Sequence, residues 1–252
     1  MTGTLALALA MAVAAGLVGC FAVMRRMTLA SDAISHVALP GIGLALALHL
    51  DPMLGGFAAL LVGTLLIWAL EHKTQVPTEA LIGVVFSLAL AIGSMLTSGG
   101  ELIDALFGAP RALRPVEVLL GLAGAGLVVA FMLRARSRLV IALVSPELAR
   151  TAGIDLAGLD LLYFLAFALT VALGLRYLGV LLMGSLVIIP AATAKHLAKG
   201  LTAMLVISVV VAVLATLLGT IGAPMLHLDT GPVIIAIAAG IFFASLGLRR
   251  SP

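Results

Sequence analysis

Charge is scarce in this chain. Asp, Glu, Lys and Arg together make up 10% of its 252 residues and hydrophobic residues 63%, where an average soluble domain has about 25% and about 45–50%. With a mean hydropathy of +1.30, a water-soluble globule is excluded and an integral membrane protein is implied. Cysteine is rarer still. Cys20 is the only one, within an apolar run, so neither a disulfide framework nor a thiolate cluster is available and the residue reads as packing. No G-x-x-x-x-G-K-[ST] phosphate loop occurs, so nucleotide is not bound by that route and any ATP dependence belongs to another polypeptide. Asp229-Thr230-Gly231 resembles an aspartic-protease triplet, but that chemistry needs a second carboxylate in register, and the sequence has no second copy. Paired carboxylates, a Ser-His set and a dense metal cluster are missing too, which makes an intramembrane enzyme the weakest class. The formal charge of +3 does not point to nucleic acid, because the basic residues lie in short loops between apolar spans, where they set orientation.

Long apolar runs are what the chain does have. Runs of the length a span needs fall at about 4–24, 33–50, 53–70, 80–98, 115–133, 158–175, 177–194, 201–222 and 231–248. The expected fold is an all-α polytopic transmembrane bundle of about eight to nine spans, forming a single domain over residues 1–252. The first run is read as a retained span, because Arg25 and Arg26 follow it, whereas a secretory signal carries its positive charge in front. Its small residues (Ala8, Ala12, Gly16; Ala15, Gly19) suit close helix approach. If the loops after spans one, three, five, seven and nine face the cytoplasm, they hold 11 of the 14 basic residues, as the positive-inside rule requires. The opposite side carries Arg111, Arg114 and Arg176 against Asp51, Glu101, Asp104, Glu117 and Asp229, a mildly acidic mouth that favours an incoming cation.

Two connecting segments carry more than a turn. Residues 98–115 are punctuated by Gly and Pro around the apolar piece Leu102–Phe107, which fits a brief surface helix or outer gate as well as an ordinary loop. Residues 134–158 form the longest polar stretch. Within it Ser145 suits a helix N-cap, Pro146 the first position, and Gly153 the end, with Glu147, Leu148, Ala149 and Arg150 between them. A short helix over about 145–153, lying in the cytoplasm, has little structural purpose in a membrane protein, and a partner protein is its natural use.

The costliest residues stand near the head of the second run. Ionisable side chains within a span are expensive and functional by default. Asp32 and His36 are four apart and share a helical face, where a carboxylate oxygen and an imidazole nitrogen can converge on one divalent cation; zinc, manganese and iron all accept such ligands. The competing reading has Asp32 cap the helix and His36 bond a carbonyl or water. Ser31 and Ser35 flank the pair as candidates to orient it. If the helix starts near Leu29, the pair lies roughly 10 Å inside the cytoplasmic boundary. Pro40, followed by Gly41, is expected to break this helix, and Pro190 to mark a second break. Lys195-His196 reads as interfacial, and His49 with Asp51 and His227 with Asp229 as outer-loop pairs that are at most weak entry sites for metal.

These residues resemble the integral membrane permease subunits of the ABC-3 family, which import zinc, manganese or iron in bacteria. The resemblance runs through Arg25 to Gly41, Ala80 to Ser87, Ser145 to Gly153, and Leu178 to Leu182 continuing to Ile189 to Ala194. It implies that Asp32 and His36 fall on the metal-coordinating pair of the pathway and that the helix around Glu147 to Gly153 falls on the coupling helix that docks into a separate cytoplasmic ABC ATPase. It further implies an extracytoplasmic metal-binding protein, a second permease copy, a place in the bacterial cytoplasmic membrane, and a transported cation with no permanently bound cofactor. Two other classes compete. An ion-coupled secondary metal transporter would leave the 145–153 helix without a job, and an ABC permease for a metal chelate would need a wide pathway that a cation-binding pair does not explain.

Overall fold

The computed structural model describes residues 2–28, 30–96, 114–178 and 180–247. The helices are α1 (Thr2–Met24), α2 (Ala30–His36), α3 (Ala38–Ala47), α4 (Pro52–Lys73), α5 (Thr78–Leu96), α6 (Pro115–Val144), α7 (Pro146–Thr151), α8 (Leu156–Leu178), α9 (Val180–Leu197), α10 (Leu201–Leu226) and α11 (Thr230–Gly247), with no strand among the described residues. Seven of them, α1, α4, α5, α6, α8, α10 and α11, are long and apolar enough to cross a bilayer. The all-α polytopic bundle is therefore the fold. The nine expected spans resolve into those seven, the 18-residue α9 and the broken pair α2–α3. The expected outer element at Leu102–Phe107, with Glu101, Asp104 and Arg111, lies outside the described residues, as do Leu29, Arg249 and Arg250.

The centre of the bundle is α1. Of its apolar window 78% is buried, against 22–44% in the other six long spans, and α6, α8, α9 and α10 all pack on it. Lipid is as apolar as Leu, so helices in a membrane are joined by close packing and interhelical hydrogen bonds rather than by hydrophobic burial. Both devices meet on α1. A Cβ on Gly19 would run into the Val187 carbonyl of α9, and one on Gly16 would stand 3.1 Å from the Val209 Cα of α10. The Ser208 hydroxyl donates to the Gly16 carbonyl at 2.8 Å and the Tyr163 hydroxyl to that of Val18 at 3.3 Å. Cys20 is buried and directs its thiol at the Met204 carbonyl.

A second seam joins α3 to α4. The backbones of Gly41 and Gly55 approach so closely that a Cβ on either would strike the other's carbonyl oxygen. Gly63 of α4 leaves room for the Val37 side chain, and Gly93 of α5 leaves room for Leu39. Small residues on α4 and α5 thus seat the junction between α2 and α3.

Two elements differ from expectation. The fifth span, expected at 115–133, continues as helix to Val144 for 30 residues, about 45 Å long against a hydrocarbon core of about 30 Å. Arg is a good helix former, so Arg134, Arg136 and Arg138, all exposed while Ala135 and Leu139 are buried, carry the helix out of the membrane instead of ending it. Pro190 does not break its helix. It lies inside α9, which runs from Val180 to Leu197, because a helix packed on several sides, here by α1, α2, α8, α10 and α11, can lose one backbone bond without unravelling.

Replacing Gly41 by Val forces two packed backbones apart. It is expected to cost about 1–3 kcal/mol, read as a lower Tm of the purified protein in lipid or detergent, and an unchanged Tm would contradict the contact.

Candidate functional site

Proline has no N–H, so Pro40 cannot donate to the carbonyl of residue 36, and its ring crowds that carbonyl. The helix gives way at that point: α2 ends at His36, Val37 lies between the helices with φ −62° and ψ −19°, and α3 starts at Ala38. The Val37 N–H turns to Ile34 instead, at 3.0 Å. The break expected from Pro40 is thus present, and it falls on the histidine.

His36 is 8% exposed and Ser35 fully buried. The imidazole leans on Phe86 of α5, ring centroids 5.5 Å apart at 56°, while α2 as a whole packs against α4, α5, α8 and α9. Asp32 lies one turn earlier on the same face of α2; its side chain, like that of Ser31, lies outside the described residues. His36 thus sets a buried imidazole on a short interior helix of an apolar bundle. Among the described residues no group of three or more His, Cys, Asp or Glu side chains converges.

The outer pairs have a structural explanation. His49 and His227 adopt left-handed φ values of 55° and 56° and close α3 and α10, with Leu50 N–H reaching Ala45 and Leu228 N–H reaching Ala223. This is the Schellman end, a position where His is tolerated better than most residues. Two residues on, Asp51 caps α4 by accepting from the Met53 N–H at 2.8 Å. The repeated Leu-His-Leu-Asp, at 48–51 and 226–229, is a signal for two similar corners that reading each pair alone overlooks.

The segment 145–153 folds as its residues dictate. Ser145 accepts from the Leu148 N–H at 3.3 Å, and Pro146 takes the first position of α7. At the far end Gly153 adopts φ 74°, its N–H meeting the Arg150 carbonyl and that of Ile154 the Ala149 carbonyl, another Schellman end. Ala149 is buried, whereas Pro146, Glu147, Leu148 and Arg150 are exposed. The helix presents a small mixed knob of charge around an exposed Leu148.

An ion pair near α7 was not anticipated. Arg25, just past α1, sets its Nη2 2.5 Å from Oδ1 of Asp160 on α8, and its guanidinium lies 4.5 Å from the Tyr163 ring centroid. Nearby the Trp68 Nε1–H of α4 donates to the Ala157 carbonyl at 3.0 Å. A cavity of about 830 Å³ opens beside the pair, bordered by Arg26, Glu71, His72, Arg150 and Asp155. The sequence signal was an acid early in an apolar run, at the same end of the bundle as Arg25.

The whole chain also has relatives. Residues 1–249 match the ABC 3 transport family. The chain is 29% identical over 239 residues to the high-affinity zinc uptake system membrane protein ZnuB of Haemophilus influenzae, covering 92% of this chain and 91% of that protein. It is 30% identical over 243 residues to the manganese import system permease protein ScaB of Streptococcus parasanguinis, covering 94% and 86%. Its fold superposes with a TM-score of 0.82 on a chain of PsaBC from Streptococcus pneumoniae in complex with Fab, at 27% identity, covering 97% of this chain and 90% of that one.

Ser145→Ala is expected to weaken α7 by about 1 kcal/mol through loss of its cap. Faster amide hydrogen exchange at Leu148, with α6 unchanged, is the measurement that checks it.

Proposed function

The chain belongs to the ABC 3 transport family, and from that premise we propose that it is the permease subunit of an ATP-driven importer of divalent zinc, manganese or iron. Residues 1–252 act as one transmembrane domain in the bacterial cytoplasmic membrane, with the basic end of the bundle inside. The observation that carries the reading is His36, buried at a proline-made break one turn from Asp32. The positive-inside pattern and the kinship with zinc and manganese uptake proteins support it.

One chain supplies a hard carboxylate oxygen and a borderline imidazole nitrogen at this step, a mixed set that suits a divalent transition metal. Two permeases related by a two-fold axis would bring two such pairs together. Conduction needs binding strong enough to admit the ion and weak enough to release it, so Asp32 and His36 serve as a passage point, while an extracytoplasmic binding protein performs capture. The imidazole must be unprotonated to ligate; its contact with Phe86 holds the ring in place.

The coupling helix at about 145–153 docks into the separate ATPase. Its knob of Glu147, Leu148 and Arg150 offers an apolar anchor ringed by charge of both signs, and the caps at Ser145 and Gly153 keep it helical while it moves as a unit. ATP-driven closure of two ATPases would displace α7 and open the pathway alternately to either side. Nucleotide is hydrolysed by the partner, and the cation is cargo.

Asp32→Ala and His36→Ala are each expected to abolish metal-dependent growth while the complex still assembles, checked by uptake of zinc and manganese radioisotopes in cells; normal uptake in both variants would sink the assignment. Leu148→Asp should lose co-purification of the ATPase, with the permease still present in the membrane at wild-type level.

A further inference from the structure

We propose that the Arg25–Asp160 pair is the strut that carries a displacement of α7 to the Asp32–His36 helix, making both residues positioning residues for transport. The inference rests on the reading of α7 as the ATPase-docking helix.

The covalent path is short on each side of the pair. α7 ends at Thr151 and closes through Gly153 and Ile154, and the chain enters α8 at Leu156. Asp160 is therefore on the second turn of the helix that α7 pulls directly. On the other side Arg25 follows α1, the chain turns at Arg26 with φ 60°, the Met27 N–H closes on Ala22, and α2 starts at Ala30. A load on the inner end of α8 thus reaches the first residues of the segment that leads into α2.

The geometry of the pair suits this work. The side chains are 12% and 25% exposed, so the pair is partly desolvated, unlike fully exposed pairs that contribute little. Arg25 holds α8 at two points three residues apart, the carboxylate of Asp160 and the ring face of Tyr163, a combination that strengthens the grip. Tyr163 is in turn fixed to α1 through Val18. One face of the pair is therefore locked to the rigid centre of the bundle. The other borders the cavity of about 830 Å³, which gives the inner end of α8 room to swing and gives water access if the pair parts. α8 also packs directly on α2, so pair and helix move against the same surface.

The test uses the permease–ATPase complex in vesicles with its metal-loaded binding protein, zinc(II) and manganese(II) serving as probe cations. Asp160→Asn and Arg25→Gln should assemble and hydrolyse ATP, yet move roughly five- to tenfold fewer cations per ATP, the low end of a typical coupling between sites. The double variant should be no worse than either single one, and Asp160→Glu should recover most of the ratio. A wild-type ratio in Asp160→Asn would overturn the proposal. So would loss of hydrolysis and transport in step with a fall in Tm, which would mark the pair as a structural brace alone. A wild-type complex that moves neither cation under ATP would overturn the transport reading itself, and the strut with it.

Discussion

A hydrocarbon slab offers no hydrogen-bonding partner, and an unsatisfied backbone group inside it costs several kcal/mol. Most of this architecture follows from that constraint. It makes every described element helical, and it decides where the chain is free to depart from a helix. Pro40 removes one backbone bond in the second crossing, and such a defect is tolerable only away from lipid. The break is accordingly lined by protein: Val37 and Leu39 are buried, seated against Gly63 and Gly93, and α4, α5, α8 and α9 surround α2. The same burial that shelters the broken backbone shelters His36. A buried imidazole and a structural weakness occupy one place because only the interior can hold either.

Close backbone approach does the rest of the joining. Where Gly19 meets Val187, and where Gly41 meets Gly55, the absence of a side chain is the contact. Hydroxyls of Ser208 and Tyr163 add interhelical bonds to carbonyls of α1. These contacts make the half of the bundle built on α1, α9 and α10 the most closely packed. The end that carries Arg25, Glu71 and Asp155 is more open, with a cavity of about 830 Å³ between helix ends and the short α7 beside it.

Much was legible beforehand. Apolar run lengths located the spans, since hydrocarbon thickness fixes how many residues a crossing takes. The cap chemistry of Ser145, Pro146 and Gly153 located α7, because those signals act within four residues of themselves. The length of α6 was not legible from hydropathy, which registers where the membrane ends, whereas Arg134 to Arg138 continue the helix into water. Pro190 read like Pro40, yet one lies within a continuous helix and the other ends one. A missing N–H is a local fact, but whether the helix survives it depends on the neighbours that brace it.

The sequence by itself determined that the chain spans a membrane, which end is basic, and that Asp32 and His36 share a helical face, because each of these is set by composition or by spacing along one helix. Only the tertiary structure decided that His36 is buried at a break against Phe86, that His49 and His227 are corner residues, and that Arg25 grips Asp160, 135 positions away in sequence. Contacts of that kind arise between helices, whose mutual placement is settled by steric fit among all of them at once, and no single stretch of sequence contains it.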